Sequence, residues 1–341
     1  MSSSRKDFIL QLGAAGIGTH LFTKGLASFS TPHPESYRVG IIGLDTSHSP
    51  AFTKLLNDPA LNSAYGKYRV VAAYPSGSKD IEASISRLPQ FMKEVRDMGV
   101  EIVASIDELL SKTDAILLNT NDGRLHLEQA LPVLKAGKRM FIDKPLAASL
   151  PDVLAIFAAA EKYHCPVFSS SSLRYIENAS GIGMDQIGKI MGADTYSPAT
   201  IEKTHPDLFW YGIHGVELLY TAMGTGCSTV VRISENETDV VVGTWSDGRL
   251  GTFRGTRTGP HEYGGTVFGE KGIVRLQPPN GYGSLLQKIT GFFDTGIPPV
   301  SPAETIEIYT FMEAAGESKR QNGLAVGLTA TLDKAKALHS H

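Results

Sequence analysis

At 341 residues the chain is too long for one ordinary hydrophobic core and predicts two domains with additions. Charged residues make up 20% and the net charge is -3, with no basic stripe and no acidic block, which excludes a nucleic-acid surface and an acidic tail. Two cysteines, Cys165 and Cys227, cannot build a disulfide framework and are expected as partly buried, unpaired thiols.

The first stretch reads as an address. Arg5-Lys6 opens a moderately apolar run over residues 8–26, and Ser28-Phe29-Ser30 supplies a small-x-small pattern suited to cleavage. Gln11, His20 and Lys24 interrupt the run, so it falls short of the ~20 apolar residues of a membrane span. The segment resembles a twin-arginine export signal with Lys6 in place of the second arginine. The expectation is export to the periplasm without a stable membrane anchor; the alternative is an amphipathic helix of a cytoplasmic protein. Residues 1–30 are set aside from the fold.

Tyr37–Ile42 (YRVGII) reads as a buried strand, and a helix follows to Asn57 with Pro50 near its start. The connecting Gly43-Leu44-Asp45-Thr46-Ser47-His48 occupies the place of a dinucleotide fingerprint, G-x-G-x-x-G. Only Gly43 is kept; Asp45 stands at the second glycine and His48 at the third. Asp45 adds bulk and a like charge toward a phosphate unless its carboxylate turns away. The helix start, with Thr46 and Ser47, would still hold an anion. After the second strand, residues 69–74, the usual acidic residue is missing. Ser76, Ser78 and Lys79 stand there, suited to a 2′-phosphate or to a solvated loop.

A helix over residues 81–98 is expected to kink or split at Pro89. A short strand and a brief helix with a Ser105/Glu108 capping box follow. Ala115–Leu118 is a fourth buried strand, ending at Asn119-Thr120-Asn121-Asp122, and His126 reads as structural within the next helix. Met140-Phe141-Ile142 is another buried strand, stopped by Asp143-Lys144-Pro145, because proline cannot donate to the next ladder bond. An acid and an amine are thereby held at the carboxyl end of a strand, where open α/β sheets bind ligands. A further helix and strand complete a parallel sheet, with a boundary near Ser171. Beyond it, strands joined by short turns imply a largely antiparallel sheet.

Within that second half, residues 204–219 (THPDLFWYGIHGVELL) predict a helix with Pro206 in its first turn. Helical spacing puts Asp207, Tyr211, His214 and Leu218 on one face. Asp45, His48, His205, Asp207, His214 and Glu217 are metal-capable, but their spacing is no recognised metal motif.

The run TDAILLNTNDGRLHLEQALPVLKAGKRMFIDKPLA, residues 113–147, resembles the Gfo/Idh/MocA oxidoreductases. There a strand ends near Thr-Pro, and a His-bearing helix, an AGK and a Glu-Lys-Pro follow. Here Asp143 replaces the glutamate, Asn121 replaces the proline, and Lys144 and Pro145 match. With GGTVFGEKGIVRL and residues 304–323, which match the family's closing helix, the resemblance runs through most of the chain after residue 36. It implies a Rossmann-type doubly wound parallel sheet over 36–170, followed by an α+β substrate and oligomerisation domain over 171–341.

The same resemblance implies NAD or NADP as cofactor and a sugar or polyol hydroxyl as substrate, in a homo-oligomer. Cofactor contacts would come from Gly43, Leu44, Thr46, Ser47, His48, Thr120, Asn121, Asp143, Lys144 and Pro145, with Arg174 entering the cleft. Lys144 would donate to the reacting oxygen and His214 would accept the proton as hydride leaves. The family motif Asp-x-x-x-His-x-x-Asp is altered: Trp210 stands at the first Asp and Glu217 at the second. Asp207 or Tyr211 is therefore expected as the partner of His214. An exported enzyme would carry its cofactor tightly held and recycle it. The alternatives are a redox-neutral or metal-dependent lyase or hydrolase in the same cleft, and a carbohydrate-binding pseudoenzyme.

Overall fold

Near-continuous apolar runs are the mark of strands buried on both faces, and six of them form the first sheet. The computed structural model describes residues 37–65, 67–176, 179, 186–277 and 281–339, so the export segment expected at 1–30 lies outside the described residues. The strands are β1 (Tyr37–Ile42), β2 (Tyr68–Tyr74), β3 (Glu101–Ile102), β4 (Ala115–Leu118), β5 (Arg139–Ile142) and β6 (Val167–Phe168). They lie in the order 3-2-1-4-5-6 and are parallel throughout. This is a doubly wound order with its crevice at the carboxyl ends of β1 and β4.

The crossovers are α1 (His48–Asn57), α2 (Glu82–Asp97), α3 (Ile106–Lys112), α4 (His126–Lys135) and α5 (Leu150–Lys162). Ser105 and Ser149 cap α3 and α5, accepting from the N–H groups of Glu108 and Asp152. Contrary to expectation, α2 runs unbroken through Pro89. The proline sits on an exposed stretch, so water can take the carbonyl it frees.

The second sheet holds β7 (Ile190–Pro198), β8 (Cys227–Ser234), β9 (Thr238–Trp245), β10 (Leu250–Thr256), β11 (Gly264–Gly269), β12 (Gly272–Leu276) and β13 (Val326–Gly327). Their order is 12-11-7-10-9-8-13, antiparallel except for the β7–β10 pair. Helix α6 (Ile213–Met223) covers one face. The strands' outward positions carry Met191, Ile233, Leu250 and Ile273, all exposed.

One element departs from the expected division at residue 171. Helix α7 (Gly283–Thr295) returns to the first domain and buries Phe292 against Phe168, ring centroids 5.0 Å apart. Tyr68 donates its hydroxyl to the Thr290 carbonyl at 2.9 Å. The chain then passes through α8 (Pro302–Arg320), which runs beside β8, and ends in α9 (Leu328–His339) against α5. Among the described residues no helix is long and apolar enough to cross a membrane.

Candidate active site

A cavity of about 660 Å³ opens between the two sheets at the carboxyl ends of the parallel strands. Thr46, Ser47, His48 and Lys144 form one wall, and Tyr211 and His214 face them from the second domain. Tyr282, just before the returning α7, closes a side.

On the first wall the altered fingerprint is tied down. Gly43 has φ +90°, and a Cβ there would lie 2.3 Å from the Thr120 amide nitrogen, so the loops leaving β1 and β4 come this close only at a glycine. Its N–H donates to the Tyr74 carbonyl, and that of Leu44 to Ser76. Asp45 is fully buried, turned away from the cavity. It accepts from the Asn121 N–H at 3.0 Å and the Ser78 N–H at 3.2 Å, joining the loops after β1, β2 and β4. Burial pushes its carboxyl up, against those two N–H groups and the Ser84 hydroxyl. Ser76 and Ser78 are committed as well, to Gln129 and to Asp80. Arg124 clamps Asp80 to Asp122 beside them.

Asp143 is buried beneath the cavity. Its Oδ1 accepts the Lys144 N–H at 2.8 Å, and its Oδ2 lies 2.5 Å from His48 Nδ1. Burial works to raise this carboxyl, but the neighbouring His48 and Lys144 outweigh it and hold it low. The His48 ring is stacked on Phe52 at 5.2 Å and edged by Tyr282 at 4.6 Å. Lys144 enters the cavity through a cis bond to Pro145, with Nζ 5.2 Å from the centre of the Tyr211 ring. His126 is structural, as expected, with its two ring nitrogens on the Thr120 and Leu146 carbonyls.

On the second wall the helix register differs from the expected one. Residues Leu208–Gly212 form a π-turn before α6 begins, so the 3.6-residue spacing does not run from Asp207 to His214. Asp207 turns to Arg232 at 2.9 Å and Lys319 at 2.6 Å, outside the cleft, and is no partner of the histidine. Tyr211 does reach the site, its ring centre 5.6 Å from that of His214. His214 Nδ1 meets the Ser171 hydroxyl at 2.7 Å. Burial, then the nearby Lys144 and His48, push this imidazole well below its ordinary range, so it stays neutral. Glu217 acts at one remove, accepting the Ser171 N–H at 3.1 Å. Burial lifts its carboxyl to about 7, against the nearby Arg174.

Several expected cofactor contacts are placed elsewhere. Leu44, Thr120 and Pro145 are buried beneath the loops, and Gly43 packs against the Thr120 backbone. Arg174 is held between Glu217 and Glu304 rather than entering the cleft. His205 latches the domains: its Nε2 accepts the Gly123 N–H at 3.1 Å. The six metal-capable groups are drawn to separate tasks, and among the described residues no cluster of three or more forms. Sequence reasoning missed Ser171, Tyr263, Tyr282 and Arg87, of which all but Ser171 line the cavity. A lone hydroxyl, scattered tyrosines and an exposed arginine carry no pattern that singles them out.

The residues present fit a dinucleotide at its nicotinamide end. Thr46 and Ser47 at the start of α1, Asn121, and the Lys144 amine all face the cavity.

Sheet order and crevice, with Lys144 and His214 facing across it, are those of a doubly wound, dinucleotide-binding type of fold carrying a second domain. Residues 37–171 match the family described as "Oxidoreductase family, NAD-binding Rossmann fold", GFO_IDH_MocA. The first domain is thus similar to the NAD-binding Rossmann domain of the Gfo/Idh/MocA oxidoreductases. A curated inositol 2-dehydrogenase from Azotobacter vinelandii is 38% identical over 78 residues, which is 22% of this chain and 23% of that relative. The myo-inositol 2-dehydrogenase of Lactobacillus plantarum superimposes with a TM-score of 0.69 at 18% identity, covering 86% of this chain and 99% of that one. GenD2 of gentamicin A biosynthesis, in complex with NAD, gives 0.68 at 17% identity over 89% and 99%. Scyllo-inositol dehydrogenase of Lactobacillus casei, with NAD(H) and scyllo-inositol bound, gives 0.66 at 16% over 86% and 99%. At such identities the likeness is one of fold.

Proposed function

We propose that the protein is an NAD-dependent oxidoreductase acting on a secondary hydroxyl of a cyclic polyol or sugar, of the inositol type. The observation that carries this reading is the meeting of Lys144 and His214, from different domains, at one cavity around Tyr211. A nicotinamide dinucleotide, when bound, supplies the hydride acceptor. The Lys144 ammonium donates to the substrate oxygen and steadies the charge that grows on it. His214 holds the same oxygen from the second domain. Tyr211, Tyr263 and Tyr282 offer apolar faces to the C–H surface of a ring and keep water away.

The test is direct. Purified protein is given myo- or scyllo-inositol or a hexose panel with NAD+ or NADP+, and reduced cofactor is followed by absorbance. Turnover with NAD+ is expected; no turnover together with no dinucleotide binding overturns the reading.

Two further parts of the reading have their own tests. The Arg5-Lys6 start and Ser28-Phe29-Ser30 support export, with the cofactor loaded beforehand, tightly held and recycled. A cytoplasmic protein retaining residues 1–30, or one that releases no nucleotide on denaturation, overturns that part. The exposed apolar face bearing Ile233 and Ile273 supports a homo-oligomer. Light scattering should show an assembly that Ile273→Asp breaks; a monomeric wild-type protein contradicts it.

A further inference from the structure

We infer that His48, oriented by Asp143, is the residue that takes the substrate proton, while His214 is a hydrogen-bond donor in the same cavity. This rests on the oxidoreductase reading and assigns the proton within it.

The two imidazoles lining the cavity are wired in opposite senses. Beneath His48 the Asp143 carboxylate receives the Lys144 N–H on one oxygen and faces His48 Nδ1 with the other. An ionised carboxylate can only accept, so Nδ1 carries the ring proton and Nε2 is left with a lone pair. Phe52 and Tyr282 fix the ring plane, and His48 lines the cavity beside Lys144. A base held by a buried acid on its far nitrogen is the arrangement that activates imidazoles for proton transfer.

His214 has no such acid. The Ser171 hydroxyl accepts the Leu173 N–H at 3.2 Å, and among the described residues its own proton has His214 Nδ1 as its acceptor. The arrangement that satisfies each donor therefore puts the ring proton of His214 on Nε2. Trp210 stands where a carboxylate would have reversed this, and Glu217 reaches only the Ser171 backbone. With Lys144 also a donor, His48 Nε2 is the acceptor among these three groups.

The balance closes in one step. The substrate O–H proton passes to His48 Nε2, the carbinol C–H leaves as hydride to the oxidised nicotinamide dinucleotide, and the C–O bond becomes a carbonyl. The imidazolium beside Asp143 then returns its proton to water. Asp143 acts through His48 and is a positioning residue.

The variants His48→Ala, His48→Gln and Asp143→Asn test this, with folding checked by circular dichroism. At saturating NAD+, kcat with myo-inositol should fall ~10²–10⁴-fold in both His48 variants. Added imidazole should restore turnover to His48→Ala by about tenfold or more, a response that lost packing would not give. Asp143→Asn should lower kcat and leave KM unchanged. It should also remove the far-downfield Nδ1 proton resonance expected of the short His48–Asp143 bond. An active wild type whose His48→Ala variant keeps its kcat or ignores imidazole overturns this inference alone. A wild type that neither binds nicotinamide dinucleotides nor turns over overturns the oxidoreductase reading, and this inference with it.

Discussion

The first-domain wall of the cleft is polar and tied down, whereas the second-domain wall is aromatic and holds its imidazole through a single hydroxyl. On the first wall both departures from the glycine fingerprint have carboxylate chemistry around them. Asp45 is absorbed into a bridge between loops, and His48 is seated on Asp143. On the second wall Trp210 stands where the family resemblance would place a carboxylate, and His214 leans on Ser171. The difference teaches that a site's acid–base assignment follows the buried carboxylate rather than the histidine's position in a motif.

Changes on the two walls should therefore break in different ways. The largest effect is expected at Lys144, where Met keeps the stem and removes the donor. Turnover should fall ~10²–10⁴-fold with the melting temperature held, because Lys144 is only half-buried. A variant that keeps full turnover would remove the first wall from the chemistry. Next comes Gly43→Ala, which meets both a positive φ and the Thr120 backbone. It should cost ~2–4 kcal/mol in urea unfolding, and a cost within error of zero would show that the approach of the loops after β1 and β4 is loose.

Asp45→Gly sharpens the comparison further, since it opens the bridge without touching the second wall. NAD affinity should rise by about tenfold, ~1.4 kcal/mol; unchanged or weaker binding would show that the bridge does not oppose the cofactor. The smallest effect at neutral pH is expected at the latch. Burial holds His205 down at about 4, against the attraction of Asp122. The folded state thus refuses a proton that the unfolded chain accepts below about 6.5. Its contribution to stability is complete above that value and is lost as pH falls toward about 4. In His205→Gln the decline of stability over this window should flatten; an unchanged slope would mean that other groups set it.

Much of the first domain was legible because parallel strands buried on both faces are uninterrupted apolar runs. Lys144 was legible because proline stops its strand at the sheet's ligand edge. Asp207 was misplaced for a specific reason: the reading assumed 3.6 residues per turn, and the π-turn Leu208–Gly212 widens the first turn and rotates Asp207 toward Arg232. The return of α7 could not be read, since nothing local tells an amphipathic helix which of two distant sheets it will cover. Ser171 was invisible for a similar reason. Its role comes from the His214 ring that folding brings to it.

The account stands on Lys144 and His214 holding one substrate oxygen from opposite domains. The most direct test is a double-mutant cycle of Lys144→Met and His214→Gln, reading kcat/KM with NAD+ and the best polyol. Groups that serve one oxygen are not independent, so the double variant should lose much less than the product of the two single losses. Losses that multiply would contradict the shared site.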